Sequence, residues 1–96
     1  MALLDLLGRR WTLRVVWELR DGKPLTFREL QGRCDGMSSS VLAQRLAELG
    51  DAGIVDAGEA GYSLTREGAS LLESLGPLQD WAKRWGRRVS AGARSR

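Results

Sequence analysis

The chain has 96 residues, 43% of them hydrophobic and 28% charged, with a net charge of +3, no histidine and a single cysteine. That length suits one domain with a modest core, marginal by itself, to which dimerisation would add buried area. No apolar run approaches the roughly 20 residues that span a bilayer, and Asp5 cuts short the apolar start, so neither a membrane span nor a signal peptide is read and a cytoplasmic setting is expected.

Leu3, Leu4, Leu7 and Trp11 fall at i, i+1, i+4 and i+8, a helical stripe. With Leu6 it carries more apolar surface than a small domain usually covers. Trp11 to Arg20 predicts a second helix, closed by Asp21-Gly22; Leu13, Val16 and Trp17 share a face that Val15 and Leu19 widen, which suggests burial on more than one side. Lys23-Pro24 is a turn. Thr26-x-x-Glu29 has the spacing of a capping box and opens a helix carrying Phe27, Leu30 and Cys34 inward. After Asp35-Gly36, Ser38 is a good N-cap for a helix striped by Leu42, Leu46 and Leu49, and Gly50 and Gly53 bracket its stop. Ile54-Val55 is expected as a short strand, Asp56 to Gly61 as a hairpin turn, and Tyr62 and Leu64 as a half-buried return strand. Thr65 caps the next helix, with Glu67 in its first turn. From Arg66 to Val89 the residues Leu71, Leu75, Leu78, Ala82, Trp85 and Val89 form a coiled-coil-like seam, suited to packing on a second helix. Gly76-Pro77 predicts a kink or a break in it.

The order from Ser38 onward is helix, strand, tight turn, strand, helix. The expected fold is mainly α (α+β): a winged helix-turn-helix with a short two-stranded wing and terminal dimerisation helices, over residues 1–90. Residues 91–96 are expected as a basic, disordered tail. In such a fold the helix after Thr26 crosses the DNA backbone, and the recognition helix, residues 38–49, enters the major groove. The side opposite its leucine stripe carries Ser40, Gln44, Ala47 and Asp51, flanked by Ala43, with Ser39 near the N-terminal tip. Gln44 is the best base reader, because its amide matches adenine N6 and N7. Ser38, Ser39 and Ser40 can donate to phosphates or bases. Arg45 lies about 60° from the middle of the buried stripe and suits a carboxylate or a phosphate. Arg28 is placed either to meet a phosphate or to stay solvated. Charge argues mildly against DNA: residues 38–65 carry one basic and four acidic groups, net −3, and the wing turn holds Asp56 and Glu59 without a Lys or Arg.

The stretch VLAQRLAELGDAGIV…YSLTREG resembles the winged-helix regulators of the MarR-like superfamily, and the upstream segment narrows the likeness. Gly8, Trp11, Thr12 and Leu13, joined to Phe27-x-Glu29-Leu30 and Gln44-Arg45-Leu46, resemble the HxlR family from about Leu3 to Trp85. The resemblance implies a homodimeric transcription factor on double-stranded DNA, with the first helix packed on a partner subunit. Leu3, Leu4, Leu7, Leu78, Trp81 and Trp85 are the candidate interface. An inverted-repeat operator and repression are the default expectations. Two features depart from the family: its members often carry a basic residue where Ser40 stands, and their wings are usually longer and more basic.

Catalysis finds no footing, since histidine, metal-ligand spacing and a phosphate-cradling loop are all missing from the sequence; an enzyme and a cofactor are not expected. Many members of the resembled family sense electrophiles through a cysteine ahead of the first helix. None stands there in this sequence, and Cys34 fills an apolar position where a thiol behaves as a small hydrophobe. Four tryptophans (Trp11, Trp17, Trp81 and Trp85) either fill the core and interface or line a cleft at the dimer interface for a small planar effector. The alternatives to a plain DNA-binding regulator are that effector sensor and a winged-helix protein-interaction module without sequence-specific DNA binding.

Overall fold

The computed structural model describes residues 2–94, with the side chains of residues 91–94 left out. The elements are α1 (Ala2–Leu7), α2 (Thr12–Glu18), α3 (Phe27–Arg33), α4 (Ser39–Asp51), β1 (Val55–Gly58), β2 (Gly61–Leu64), α5 (Arg66–Ser74) and α6 (Gly76–Arg94). This is the winged helix-turn-helix order, with α3 and α4 as the helix pair and the β1–β2 hairpin as the wing.

The apolar stripe of the N-terminus is interrupted. α1 stops at Leu7, and Trp11 takes a left-handed backbone, φ 77°, as the residue that opens α2. Leu3, Leu4 and Leu7 therefore share a helix while Trp11 does not. Periodicity alone could not show the break, because Gly8 to Arg10 continues the helical spacing without continuing the helix. α2 buries Thr12, Val15 and Val16, and Leu19 follows them inside. Leu13 and Trp17, expected on the inner face, stay partly exposed on its other side.

Local capping sets the helix starts. The Thr26 hydroxyl accepts from the Glu29 amide at 3.1 Å and the Glu29 carboxylate accepts from the Thr26 amide at 3.0 Å, a complete capping box. The Ser38 hydroxyl accepts from the Val41 amide at 3.1 Å, and Thr65 caps α5 by accepting from the Gly68 amide at 3.0 Å. Leu42, Leu46 and Leu49 turn inward onto Leu30, Cys34, Val15 and Val16, the centre of the core.

The wing is tighter than the sequence suggests. β1 and β2 pair antiparallel from Val55↔Leu64 to Gly58↔Gly61, leaving Glu59-Ala60 as a two-residue turn. Asp56 and Ala57, expected in the turn, belong to the strand. Their side chains and Gly58 are exposed, so the run lacks the alternation that marks a half-buried strand. Leu25 adds an isolated bridge on the other edge of β2: its amide donates to Tyr62 O at 2.9 Å and the Tyr62 amide donates to Leu25 O at 2.7 Å. Gly61 is required there, since its φ is 127° and a Cβ would collide with the Leu25 carbonyl.

The C-terminal helical region breaks at Leu75, one residue before Gly76, and Pro77 falls in the first turn of α6, where its missing N–H costs nothing. α6 then runs 19 residues to Arg94, beyond the expected boundary at residue 90. Ser95 and Arg96, and the side chains of the expected basic tail, lie outside the described residues. Much of α6 stands off the domain. The radius of gyration is 15.1 Å, against about 12–13 Å for a compact chain of this length. No helix among the described residues is long and apolar enough to cross a membrane.

Candidate nucleic-acid interface

α3 buries Leu30 and α4 buries its leucine stripe, so the outward faces of both are fixed by core packing. On α4 the exposed residues at the N-terminal half are Ser39, Ser40, Ala43 and Gln44. They converge on one surface at the end where amide N–H groups and the helix dipole favour an anion. Ser38 is exposed too, but its oxygen already accepts the capping bond, which leaves its O–H to donate. Gln44 makes no side-chain hydrogen bond to another described residue, and both ends of its amide stay open. Arg28 is exposed in the first turn of α3 and has no ion pair among the described residues.

Arg45 does something else. Its Nε donates to the Arg10 carbonyl at 2.9 Å and its Nη1 to both Glu48 carboxylate oxygens at 2.8 and 2.9 Å. Only 14% of the side chain is exposed. Of the two partners expected for Arg45, the structure supplies the carboxylate, together with a backbone carbonyl, and its guanidinium is removed from the groups free to bind phosphate. Glu48 Oε1 also accepts from Arg9 Nη1 at 2.7 Å. Burial would raise the Glu48 carboxyl, but the hydrogen bonds from Arg45 and Arg9 outweigh it and hold the carboxyl below its usual range. The i, i+3 spacing of Arg45 and Glu48 was legible in the sequence; the third member, Arg9, is 39 residues away and was not.

Around this face the charge is mixed. Asp56 and Glu59 are exposed on the wing, with Glu59 at its tip, so the wing presents carboxylates where a phosphate clamp would need cations. Cys34 is fully buried beneath α3. Burial pushes its thiol up, against a weaker opposing pull from Arg14, the setting of a cysteine that packs as a small hydrophobe.

The terminal helices form the other surface. Leu3 and Leu4 on α1 are exposed, and Leu7 is partly so. On α6, Leu78 (54% exposed), Trp81 (47%), Trp85 (50%) and Val89 (49%) form one apolar face. The Trp81 and Trp85 rings stack at 6.0 Å with an 11° tilt. Between α2, α5 and α6 lies an apolar cleft of about 330 Å³, walled by Leu13, Trp17, Leu72, Leu75, Leu78 and Ala82 among others. Of the four tryptophans only Trp17 lines it, so this cleft is mostly a leucine one within the subunit. Leu13, on the apolar face of α2 with Val16 and Trp17, is one of its wall residues.

A capped recognition helix with an open polar face, packed behind a crossing helix and beside a two-stranded wing, defines a helix-turn-helix transcriptional regulator. Residues 6–90 match the HxlR-like helix-turn-helix family, and the chain belongs to it. The HTH-type transcriptional regulator YvaP of Bacillus subtilis is 33% identical over 89 residues, covering 85% of this chain and 82% of that protein. Among solved structures, quinone-bound YodB from B. subtilis superposes with a TM-score of 0.81 at 34% identity, covering 86% of this chain and 93% of that one. A possible HxlR family transcriptional factor from Thermoplasma volcanium gives a TM-score of 0.77 at 30% identity over 88% of this chain and 82% of that one. These relatives are regulators of transcription, not enzymes, and no group of three or more potential metal ligands lies together among the described residues.

Proposed function

We propose that the protein is a homodimeric repressor that places the two copies of α4 in successive major grooves of an inverted-repeat operator. The observation that carries this reading is the open surface of Ser39, Ser40, Ala43 and Gln44 on a helix whose opposite side is sealed into the core. Gln44 reads a base, by the bidentate match of its amide to adenine. Ser38, Ser39, Ser40 and Arg28 supply contacts to phosphate. The acidic wing stays clear of the backbone. The unpaired apolar faces of α1 and α6 support the dimer, with Leu3, Leu4, Leu7, Leu78, Trp81 and Trp85 at the interface: a row of large side chains half open to water is costly unless a second surface covers it. Two-fold symmetry would then set the half-site centres about 34–36 Å apart or at a multiple of that.

A second reading refines the first. The apolar cleft between α2, α5 and α6 suits a small planar effector, and the related YodB has been seen with a quinone. Occupancy would bear on α6 through Leu78 and Ala82, which tie the cleft to the proposed interface.

The test is a selection from random duplexes followed by fluorescence anisotropy at several salt concentrations. A palindromic motif bound at least ~10³-fold above scrambled duplex supports the regulator. Recovery of no motif would move the reading to a winged-helix protein-interaction module, which the acidic wing favours. Where a motif is recovered, replacing Gln44 with Ala should cost about 1–3 kcal/mol at one base position and little elsewhere.

A further inference from the structure

Arg45, Glu48, Arg9 and the Arg10 carbonyl form a clasp that joins two segments far apart in sequence. One is the recognition helix. The other is the Gly8–Trp11 loop, which begins immediately after Leu7, the last residue of α1. Four hydrogen bonds hold it: Arg45 Nε donates to Arg10 O at 2.9 Å, Arg45 Nη1 to both oxygens of Glu48, and Arg9 Nη1 to Glu48 Oε1 at 2.7 Å. The loop carries the sole non-glycine positive φ among the described residues, at Trp11. A left-handed backbone at a bulky residue costs free energy, so its neighbours must hold it, and the bond to the adjacent Arg10 carbonyl is placed to do so.

We infer that Arg45 and Glu48 are positioning residues, which set the rotation of the recognition helix against the loop and so transmit displacements of α1 to the base-reading face. This rests on the DNA-binding reading above. Gln44 adjoins Arg45 in the chain, so the anchoring of one side chain fixes the direction of the other. A rotation of 10° about the helix axis would move a group at the outer radius of about 5–6 Å by roughly 1 Å. That is enough to spoil a bidentate hydrogen bond, whose donor–acceptor distances span only about 2.7–3.2 Å. A planar guanidinium holds rotation as well as distance, which a lysine at the same place does not.

The test uses the full chain, the selected duplex and a scrambled one, with Glu48→Gln, Arg45→Lys and Arg9→Gln. Glu48→Gln removes a negative charge from the recognition helix, so simple electrostatics predicts tighter DNA binding. The clasp predicts the opposite: at least about tenfold weaker binding to the selected duplex, unchanged binding to the scrambled one, and an unchanged salt slope. Arg45→Lys keeps the charge and should show the same pattern. Arg9→Gln, which opens only the outer arm at a half-exposed residue, should lose a few-fold and keeps the test standing if the inner variants do not fold. Wild-type or tighter binding of the selected duplex by folded Glu48→Gln overturns the proposal. So does a loss shared equally by both duplexes with a salt slope lower by about one for Arg9→Gln, the mark of a direct phosphate contact. If the wild type selects no motif, the DNA reading fails and hydrogen exchange decides the clasp alone. Glu48→Gln should speed exchange jointly in residues 9–12 and 39–51 while leaving α5 unchanged, and unchanged exchange in both segments overturns the coupling.

Discussion

α4 and α6 each carry a stripe of large apolar side chains at nearly the same helical spacing, and the protein treats them oppositely. Leu42, Leu46 and Leu49 are buried, at 0%, 5% and 0% exposure. Leu78, Trp81, Trp85 and Val89 remain about half exposed along the length of α6. A stripe states that one side of a helix must leave water; it does not say what will cover it. α4 is covered by its own chain, through α2 and α3. α6 has no such cover among the described residues, so the same pattern is core in one helix and an open apolar face in the other.

The sharpest way to break that contrast is to truncate one residue of each stripe. Leu49→Ala should cost about 2–5 kcal/mol of stability, by lost burial and a cavity, seen as a large fall in melting temperature at any protein concentration. Trp85→Ala should leave the fold of the subunit intact and weaken self-association, read by sedimentation equilibrium. Equal destabilisation by both, independent of concentration, would show that α6 packs on its own domain after all.

The wing offers a second break, because its position depends on backbone contact more than on side chains. Gly61→Ala should destabilise by roughly 1–3 kcal/mol, since the new Cβ meets the Leu25 carbonyl at a φ that only glycine adopts freely. Chemical denaturation would show it, and amide exchange at Leu25 and Tyr62 should rise with it.

Within the sealed region one group has no partner among the described residues. The Thr12 hydroxyl is buried without a hydrogen bond, so Thr12→Val, nearly the same shape, should stabilise by about 1 kcal/mol. A loss of stability instead would reveal a partner for the hydroxyl, such as a bound water.

Acid titration probes the clasp itself. The carboxyls of Glu48 and Glu29 are both held below their usual range, Glu29 chiefly by the Thr26 backbone amide. A depressed carboxyl contributes stability in full above its unfolded value of about 4.3, and loses it as pH falls through the lower folded value. Melting temperature should therefore be flat on their account from pH 7 to about 5 and fall below about 4.3, with a shallower acid limb in Glu48→Gln. Smallest of all is the wing charge: Asp56→Ala with Glu59→Ala should leave operator affinity unchanged or raise it up to about twofold by removing repulsion. A weaker complex would mean that those carboxylates touch the DNA or its hydration.

Most of the helix pair was legible in the sequence, and for local reasons. The Thr26–Glu29 box, the Ser38 and Thr65 caps and the inward leucines of α4 depend on neighbours three to seven residues away, within reach of pattern reading. Gln44, Ser39, Ser40 and Ala43 followed as the opposite face. The failures were at places decided by distant partners. Asp56 and Ala57 became strand because Ser63 and Tyr62 were there to pair with them. Leu25 became an isolated bridge on β2 because Tyr62 lay beside it.

The sequence by itself determined where α3, α4 and α5 start, which side of α4 is apolar, and the family to which the chain belongs, because caps, stripes and motifs are short-range properties of the chain. Only the tertiary structure decided that Trp11 leaves the first helix for a left-handed turn, that Arg45 spends its guanidinium on Glu48 and the Arg10 carbonyl, and that α6 stays uncovered. Each of those depends on groups separated by tens of residues, whose meeting is set by how the whole core packs.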